Sequence, residues 1–398
     1  MLELIFFLVT GIILGIFTGL FPGIHINLVS AFLISFLSFF LSFSSPIGLI
    51  IFIVSMSITH IFLDFIPSIY LGAPEESSSL AILPGHELLL EGKGHEAITY
   101  TLYGCLYAII FSILIAPLFI ITLPKIYPFI QRMMGFILII GSIFLISKES
   151  NSKIWAIIIF ILSGFLGLST FNLNISQPLL PLLSGLFGSS TLIYSITQKT
   201  RIPPQKIEKI ELIKKELIRP AVFTSLISPI CSFLPGLGSS QAAILSTEFI
   251  KPTKKQFLFS LGAVNVILMC LSFATLYSIE KSRTGSAAAI NEILSLGKID
   301  LILILFACLL SGVFSFFIAI NISKFFAKRI SQVDYSKLSM IILIILTLAV
   351  LVFSGLLGFF VYLASTILGL LAIYLEIKKG HLMGCLLIPS ILYYLPIF

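Results

Sequence analysis

The sequence predicts an all-α polytopic membrane protein. It would be built as two inverted-topology repeats, with about ten full spans plus Pro-Gly broken helices and re-entrant hairpins. Three observations predict it: the composition, the length of the apolar runs, and a pattern of helix-breaking residues that occurs twice. Of 398 residues, 58% are hydrophobic and 10% charged, against roughly 45–50% and 25% in soluble domains. Mean hydropathy is +1.15. Apolar runs long enough to cross a hydrocarbon core of about 30 Å recur along the whole chain. In lipid the backbone must satisfy its own polar groups, so spans are helices or closed barrels. These runs are unbroken rather than alternating, which excludes a barrel. No polar stretch approaches the roughly 50 residues of the smallest soluble domains.

The candidate segments of the first half are 2–20, 23–42, 46–71, 97–123, 126–147, 153–171 and 178–197. Those of the second are 217–234, 236–250, 256–279, 299–323, 338–354, 356–375 and 382–398. The opening run has no basic flank and carries only Glu3, so it reads as a first membrane segment rather than a cleaved signal. Three stretches do not read as ordinary spans: Phe21–Asn27 (FPGIHIN), Leu234–Gln241 (LPGLGSSQ) and the polar Gly72–Leu83.

The repeat shows in the alignment of FPGIHINLVSAFLISF (21–36) with LPGLGSSQAAILSTEF (234–249), and more weakly of YLGAPEESSSLAI (70–82) with YSIEKSRTGSAAAI (277–290). The order of elements also matches. The expected organisation is therefore repeat 1 over 1–197, a basic cytoplasmic linker over 198–216, and repeat 2 over 217–398.

The net charge of +7 sits in short loops between apolar runs. That is the positive-inside pattern rather than a nucleic-acid stripe. Lys199, Arg201, Lys206, Lys209, Lys214, Lys215 and Arg219 place the linker in the cytoplasm. Nineteen of the 24 Lys and Arg then fall inside; Lys125, Arg132, Lys281, Arg283 and Lys298 fall outside. Each half crosses the membrane an odd number of times beyond its broken pair, so the halves are inverted and both termini are extracellular.

Proline removes a backbone donor, and glycine tolerates positive φ, so a Pro-Gly pair unwinds a helix. The helix restarting after it presents free N–H groups and a partial positive charge, which suit an anion. Pro22, Gly23, His25 and Asn27 in one half, and Pro235, Gly236, Gly238, Ser239, Ser240 and Gln241 in the other, are the expected substrate-binding residues. The competing reading is two kinked spans. In Gly72–Ser79, Glu75 and Glu76 are candidates for the coupling ion, with Ser77 and Ser78 facing substrate. The alternative is a solvated turn, favoured by the charged PGHELLLEGKGHE that follows, which reads as aqueous.

Asp64 lies in an apolar run, with Asn265 in the matching helix of the second half; an intramembrane carboxylate is a functional candidate. A local pair of His60 with Asp64, one helical turn apart, is the alternative. Asn172, Asn174 and Gln177 read as satisfying loop backbone. The scattered Cys105, Cys231, Cys270, Cys308 and Cys385 give neither a zinc motif nor a disulfide framework. There is no P-loop, hence no sign of an ATP-driven pump, and no H-E-x-x-H.

GAPEESSSLAILPGHELLLEGKGHEAI (72–98) and FLPGLGSSQAAILSTEF (233–249) resemble hallmark segments of the large permease subunit of tripartite tricarboxylate transporters, the TctA family. Gly72, Ala73 and Pro74 stand for its G-[T/V]-P. Pro84, Gly85, His86, Glu87, Glu91, Gly92, Gly94 and Ala97 occupy its second part, without the usual Asp-Gly pair. FPGIHIN takes the place of its first-repeat P-G-x-G-P. The resemblance implies a secondary transporter in the cytoplasmic membrane, moving a small carboxylate or other organic anion by alternating access. It implies H+ or Na+ as coupling ion, no further cofactor, and no enzyme activity. It also implies a small membrane subunit and an extracytoplasmic binding protein as partners; a homodimer is a further arrangement open to such a chain.

Two rival readings stand beside it. One is a translocase for an anionic lipid headgroup such as a polyprenyl phosphate, with a cavity open sideways to the bilayer. The other is an intramembrane lipid-processing enzyme using His25 or Asp64, which would need a histidine and a carboxylate within hydrogen-bond reach. The topology is checked directly. In a variant whose five native cysteines are removed, a cysteine replacing Lys298 should react with an impermeant maleimide added outside intact cells. One replacing Lys206 should react only after permeabilisation; the reverse pattern would overturn the orientation.

Overall fold

A computed structural model describes residues 2–21, 40–71, 82–147, 149, 151–197, 202–207, 214–234, 238–248, 250–332 and 334–395. Among them the regular structure is helical: α1 (Leu2–Leu20), α2 (Pro46–Tyr70), α3 (Ile82–Leu90), α4 (Gly94–Ser147), α5 (Lys153–Asn172), α6 (Leu179–Leu183) and α7 (Ser190–Thr197). The chain continues with α8 (Lys214–Cys231), α9 (Ser239–Glu248), α10 (Lys254–Ile279), α11 (Gly285–Ile293), α12 (Lys298–Arg329), α13 (Tyr335–Tyr374) and α14 (Gly384–Tyr394). Seven of the described helices are long and apolar enough to cross a membrane: α1, α2, α4, α5, α10, α12 and α13.

Most of these helices lie where the apolar runs predict them, and they stop for visible reasons. Ser45 caps α2, its hydroxyl accepting from Gly48 N at 3.1 Å. Thr253 and Gln256 form a capping box at the start of α10. Two helices each take in two predicted segments. α13 covers 338–354 and 356–375, and Gly355, the residue between them, departs from the helix at φ 68, ψ −166. α4 covers 97–123 and 126–147. A straight helix of its 54 residues would reach about 80 Å. Its start packs on Tyr70, and Glu149 just beyond its end lies 3.0 Å from His381 of the turn Lys379–Met383. Two spans within one helix call for a bend, and Pro117, Pro124 and Pro128 are the residues inside it that permit one. The predicted span 178–197 divides: α6 and α7 are joined by a π-helical Ser184–Ser189.

The core is organised around α2 and α10. In each, the apolar window is 94% buried, against 22% in the lipid-facing α13. α1 lies along α2 and α8 along α10, while α4 packs on α10 and α12 on α2. The halves thus exchange their long helices. Side-chain pairs give the directions. Thr59 meets Ser315 and Tyr70 meets Ser323, so α2 and α12 run together. Glu96 meets Lys255 and Cys105 meets Gly262, so α4 and α10 run together. His95 meets Ser323 while Tyr103 meets Phe316, so α4 and α12 are opposed. It follows that α2 and α10 run in opposite directions, as do α4 and α12. Ser45 N donates to Glu3 at 2.8 Å and Gln256 Nε2 to Glu216 O at 2.9 Å, so in each half the chain returns to the end it started from before the central helix begins.

Glycines set these approaches. A Cβ on Gly104 would fall 2.0 Å from Phe259 O, and one on Gly262 2.2 Å from Thr101 O. On α1, Gly11, Gly15 and Gly19 each sit against the backbone of α2, with a built Cβ 2.5 to 2.8 Å from the carbonyls of Phe52, Met56 and His60. One expectation is corrected here. The stretch after Pro84 is not simply aqueous, because α3 buries Leu88 and Leu89 while Glu87 and Glu91 pair with Lys254. Its charges mark one side of a docked helix. Gly104→Ala and Gly262→Ala should each destabilise the purified protein by about 1–3 kcal/mol, read as a lower Tm in detergent. Gly141→Ala, with nothing within 4 Å of its Cβ, is the control; equal effects at all three would refute the packing account.

Candidate functional site

The predicted site residues divide by position. Pro22, Gly23, His25, Asn27, Glu75, Glu76, Ser77, Ser78, Pro235 and Gly236 lie outside the described residues. The flanks of the second break are described. Among the described residues, α8 ends at Cys231, Ser232, Phe233 and Leu234 are non-helical, and α9 starts at Ser239. α9 opens with Ala242 N donating to Gly238 O at 3.1 Å. Ser239, Ser240 and Gln241 form its first turn, where backbone N–H groups have no helical acceptor. Gly238 and Ser239 are half-buried. Arg283, beyond α10, donates from Nε to Leu234 O at 3.3 Å and so brings a cation to the edge of this break.

Asp64 is buried on α2, 3% exposed, and Ser68 Oγ donates to its own-helix carbonyl at 2.7 Å and to Oδ1 at 3.4 Å. His60, one turn earlier, shares a 3.1 Å hydrogen bond with Thr18 of α1. Asn265, in the opposed α10, is equally buried and donates to Leu261 O at 3.1 Å. Hydroxyl pairs tie α2 to the second half: Ser57 with Ser286 at 2.6 Å, and Ser315 donating to Thr59 at 2.9 Å. Asn172 Nδ2 donates to Leu168 O, as its reading as a backbone partner expects, whereas at Gln177 it is the main-chain O that accepts, from Ser354 Oγ. The five cysteines are buried thiols, none of them in a disulfide.

A second polar cluster joins chain segments far apart in sequence. Glu149 is 4% exposed. Its Oε2 accepts from Lys378 N at 3.1 Å and lies 3.0 Å from His381 Nε2, and its Oε1 accepts from Asn151 N at 3.1 Å. This one carboxylate thereby pins the 3-10 turn Lys379–Met383. Burial pushes the His381 imidazole below its ordinary value, and the Glu149 carboxylate opposes that shift. On α3, burial likewise lowers His86; a bond to the Ile69 backbone opposes it, and the positive charge of Lys379 adds to it.

The family model described as the tripartite tricarboxylate transporter TctA family matches residues 5–384. The chain belongs to the TctA family. An uncharacterized protein of Methanocaldococcus jannaschii is similar to it, 31% identical over 354 residues that cover 86% of this chain and 88% of that one. No solved structure matches the chain. TctA membership makes it a multi-pass membrane permease of a transporter family.

Sequence reading missed the Glu149 cluster in this TctA-family chain because its members look like ordinary loop charges. Gly11, Gly15 and Gly19 did carry a signal, the i, i+4 spacing of small residues at helix interfaces. Glu149→Ala should lower stability by about 3–5 kcal/mol, the range for breaking a buried pair, measured as a drop in Tm. Adding His381→Ala should cost less than a second independent loss; strict additivity would mean the two residues do not act as a pair.

Proposed function

We propose that this chain is a secondary transporter that moves a small carboxylate, a tricarboxylate or a close relative, across the cytoplasmic membrane by alternating access, driven by a Na+ or H+ gradient. The observation that carries the reading is the opposed pair α2 and α10, buried at the centre of a TctA-family chain. Each holds a buried polar side chain, Asp64 or Asn265, and each follows a segment with a Pro-Gly pair. Opposed central helices and exchanged long helices support two inverted repeats, 1–197 and 217–398, with Pro22 corresponding to Pro235. The substrate would lie where the two breaks approach, held by the first turn of α9 and its counterpart. Either Glu75 or Glu76, with Asp64 as the reserve candidate, would take the coupling ion. Family likeness supports a small membrane subunit and an extracytoplasmic binding protein as partners.

The intramembrane-enzyme reading required a histidine and a carboxylate in contact. His381 and Glu149 meet that distance, but the carboxylate also holds two backbone N–H groups and anchors a turn.

The test uses the purified chain in two formats. A thermal-shift screen should show stabilisation by citrate or succinate rather than by inorganic phosphate. Stabilisation by a polyprenyl phosphate alone would replace this reading with lipid translocation. In proteoliposomes with an imposed Na+ or H+ gradient, Glu75→Gln or Glu76→Gln, but not both, should abolish accumulation of labelled citrate while exchange persists, since exchange needs binding and rocking but no ion. If both variants accumulate citrate normally, the coupling role moves to Asp64 and Asp64→Asn should abolish accumulation instead.

A further inference from the structure

Lys379 opens the 3-10 turn that Glu149 holds. Its Nζ donates to Thr191 Oγ1 at 2.5 Å, and that hydroxyl donates to Phe187 O at 2.5 Å. Thr191 therefore offers the ammonium only lone pairs. An ammonium has three N–H donors. Among the described residues no second acceptor and no carboxylate pairs with Lys379. Burial pushes its pKa down to about 8. The side chain is nonetheless only half-buried, so part of it still faces open space.

What surrounds it gives that space a meaning. The 379–383 turn packs on α9, the helix that opens at Gly238 and Ser239 after the second break, and also on α4, α5, α13 and α14. The charge of Lys379 is felt at His86 on α3, the helix that follows the polar 72–81 segment of the first half. Thr191 is the second residue after the π-helical Ser184–Ser189. Such π segments occur often at functional sites, where the extra residue per turn redirects the next side chains. One under-coordinated cation thus stands between the elements that follow the polar break of each half.

We propose that Lys379 is an anion-binding residue of the transport site, its free N–H donors completed by a carboxylate of the transported anion in the gap between the 379–383 turn, α9 and α3. The assignment rests on the carboxylate-transport reading above and adds the cation that reading lacks. A charge-assisted bond to the anion replaces the hydration that Lys379 has lost. Without the anion the described residues offer the ammonium one acceptor, the Thr191 hydroxyl, so the site favours the loaded state.

Citrate and, separately, inorganic phosphate are titrated calorimetrically into the purified full-length chain and into Lys379→Gln, Lys379→Arg and the remote Lys125→Gln. Lys379→Gln should weaken citrate binding by about tenfold or more, the scale of a lost hydrogen bond to a charged group. Lys379→Arg and Lys125→Gln should stay within about threefold of the parent. In the absence of citrate, Lys379→Gln should melt at or above the parent temperature, because it removes a cation to which the described residues offer only a hydroxyl. Parent-like citrate binding by Lys379→Gln overturns this assignment and leaves the transport reading standing. A Lys379→Gln protein that melts below the parent makes the lysine structural and also overturns it. If the parent binds phosphate and not citrate, or neither, the carboxylate reading itself fails.

Discussion

Backbone contact between helices is the constraint on which the rest of this structure depends. In a bilayer, hydrophobic burial gives helices little reason to associate, because lipid tails are as apolar as leucine, so packing and polar contacts must do it. Here α4 and α10 approach until each offers a glycine to a carbonyl of the other, Gly104 to Phe259 and Gly262 to Thr101. α1 makes the same approach to α2 along Gly11, Gly15 and Gly19. With helices this close, α2 and α10 can be enclosed on all sides, and only an enclosed helix can carry Asp64, His60 or Asn265 away from lipid. The glycines thus make room for polar chemistry by excluding side chains elsewhere.

Enclosure also dictates how polar groups are satisfied. Most hydroxyls of the central helices fold back on their own carbonyls, as Ser55 does to Ile51 and Thr275 to Leu271. A few also reach across. Ser57 with Ser286 and Thr59 with Ser315 join α2 of the first half to α11 and α12 of the second. Those bonds cross the boundary between the halves, which is where a rocking motion would have to work. Such hydroxyl contacts are individually weak, of order 1 kcal/mol in membrane proteins. A seam held by them and by van der Waals packing can slide in a way that a seam of buried ion pairs could not.

Much of the fold was legible in the sequence, because apolar length is a direct consequence of bilayer thickness. The segments 2–20, 46–71, 153–171 and 256–279 became helices with nearly those bounds, and the gap left at residue 355 is met by Gly355 at positive φ. What was not legible depends on contacts across the chain. α3 reads as aqueous from Glu87, Glu91 and Lys93, yet Leu88 and Leu89 between them are buried. Helical periodicity over nine residues is too short a signal to separate a docked face from a loop. The π-helical turn at Ser184–Ser189 leaves no mark in an apolar run. Of the candidate site, the non-helical residues Ser232, Phe233 and Leu234 and the helix start at Ser239 flank the predicted break, whose Pro235 and Gly236 lie outside the described residues. Glu149 and His381 were not, since they are 232 positions apart and each resembles a loop charge.

Charge plays two roles here, and burial separates them. Lys254 bridges Glu87 at 2.8 Å and Glu91 at 2.9 Å, but all three side chains are more than 40% exposed. Pairs of that kind contribute about 0–1 kcal/mol. Their value is positional: they fix α3 and the starts of α4 and α10 at one end of the molecule, the end that the positive-inside count places in the cytoplasm. Lys378 and Lys379 enter that same count as two equivalent loop cations. The structure makes them unlike, because the backbone of Lys378 is tied to buried Glu149 while the side chain of Lys379 is turned inward to Thr191. A topology rule sums charges without asking where each points. It therefore assigns to orientation a lysine whose side chain the fold has turned toward Thr191.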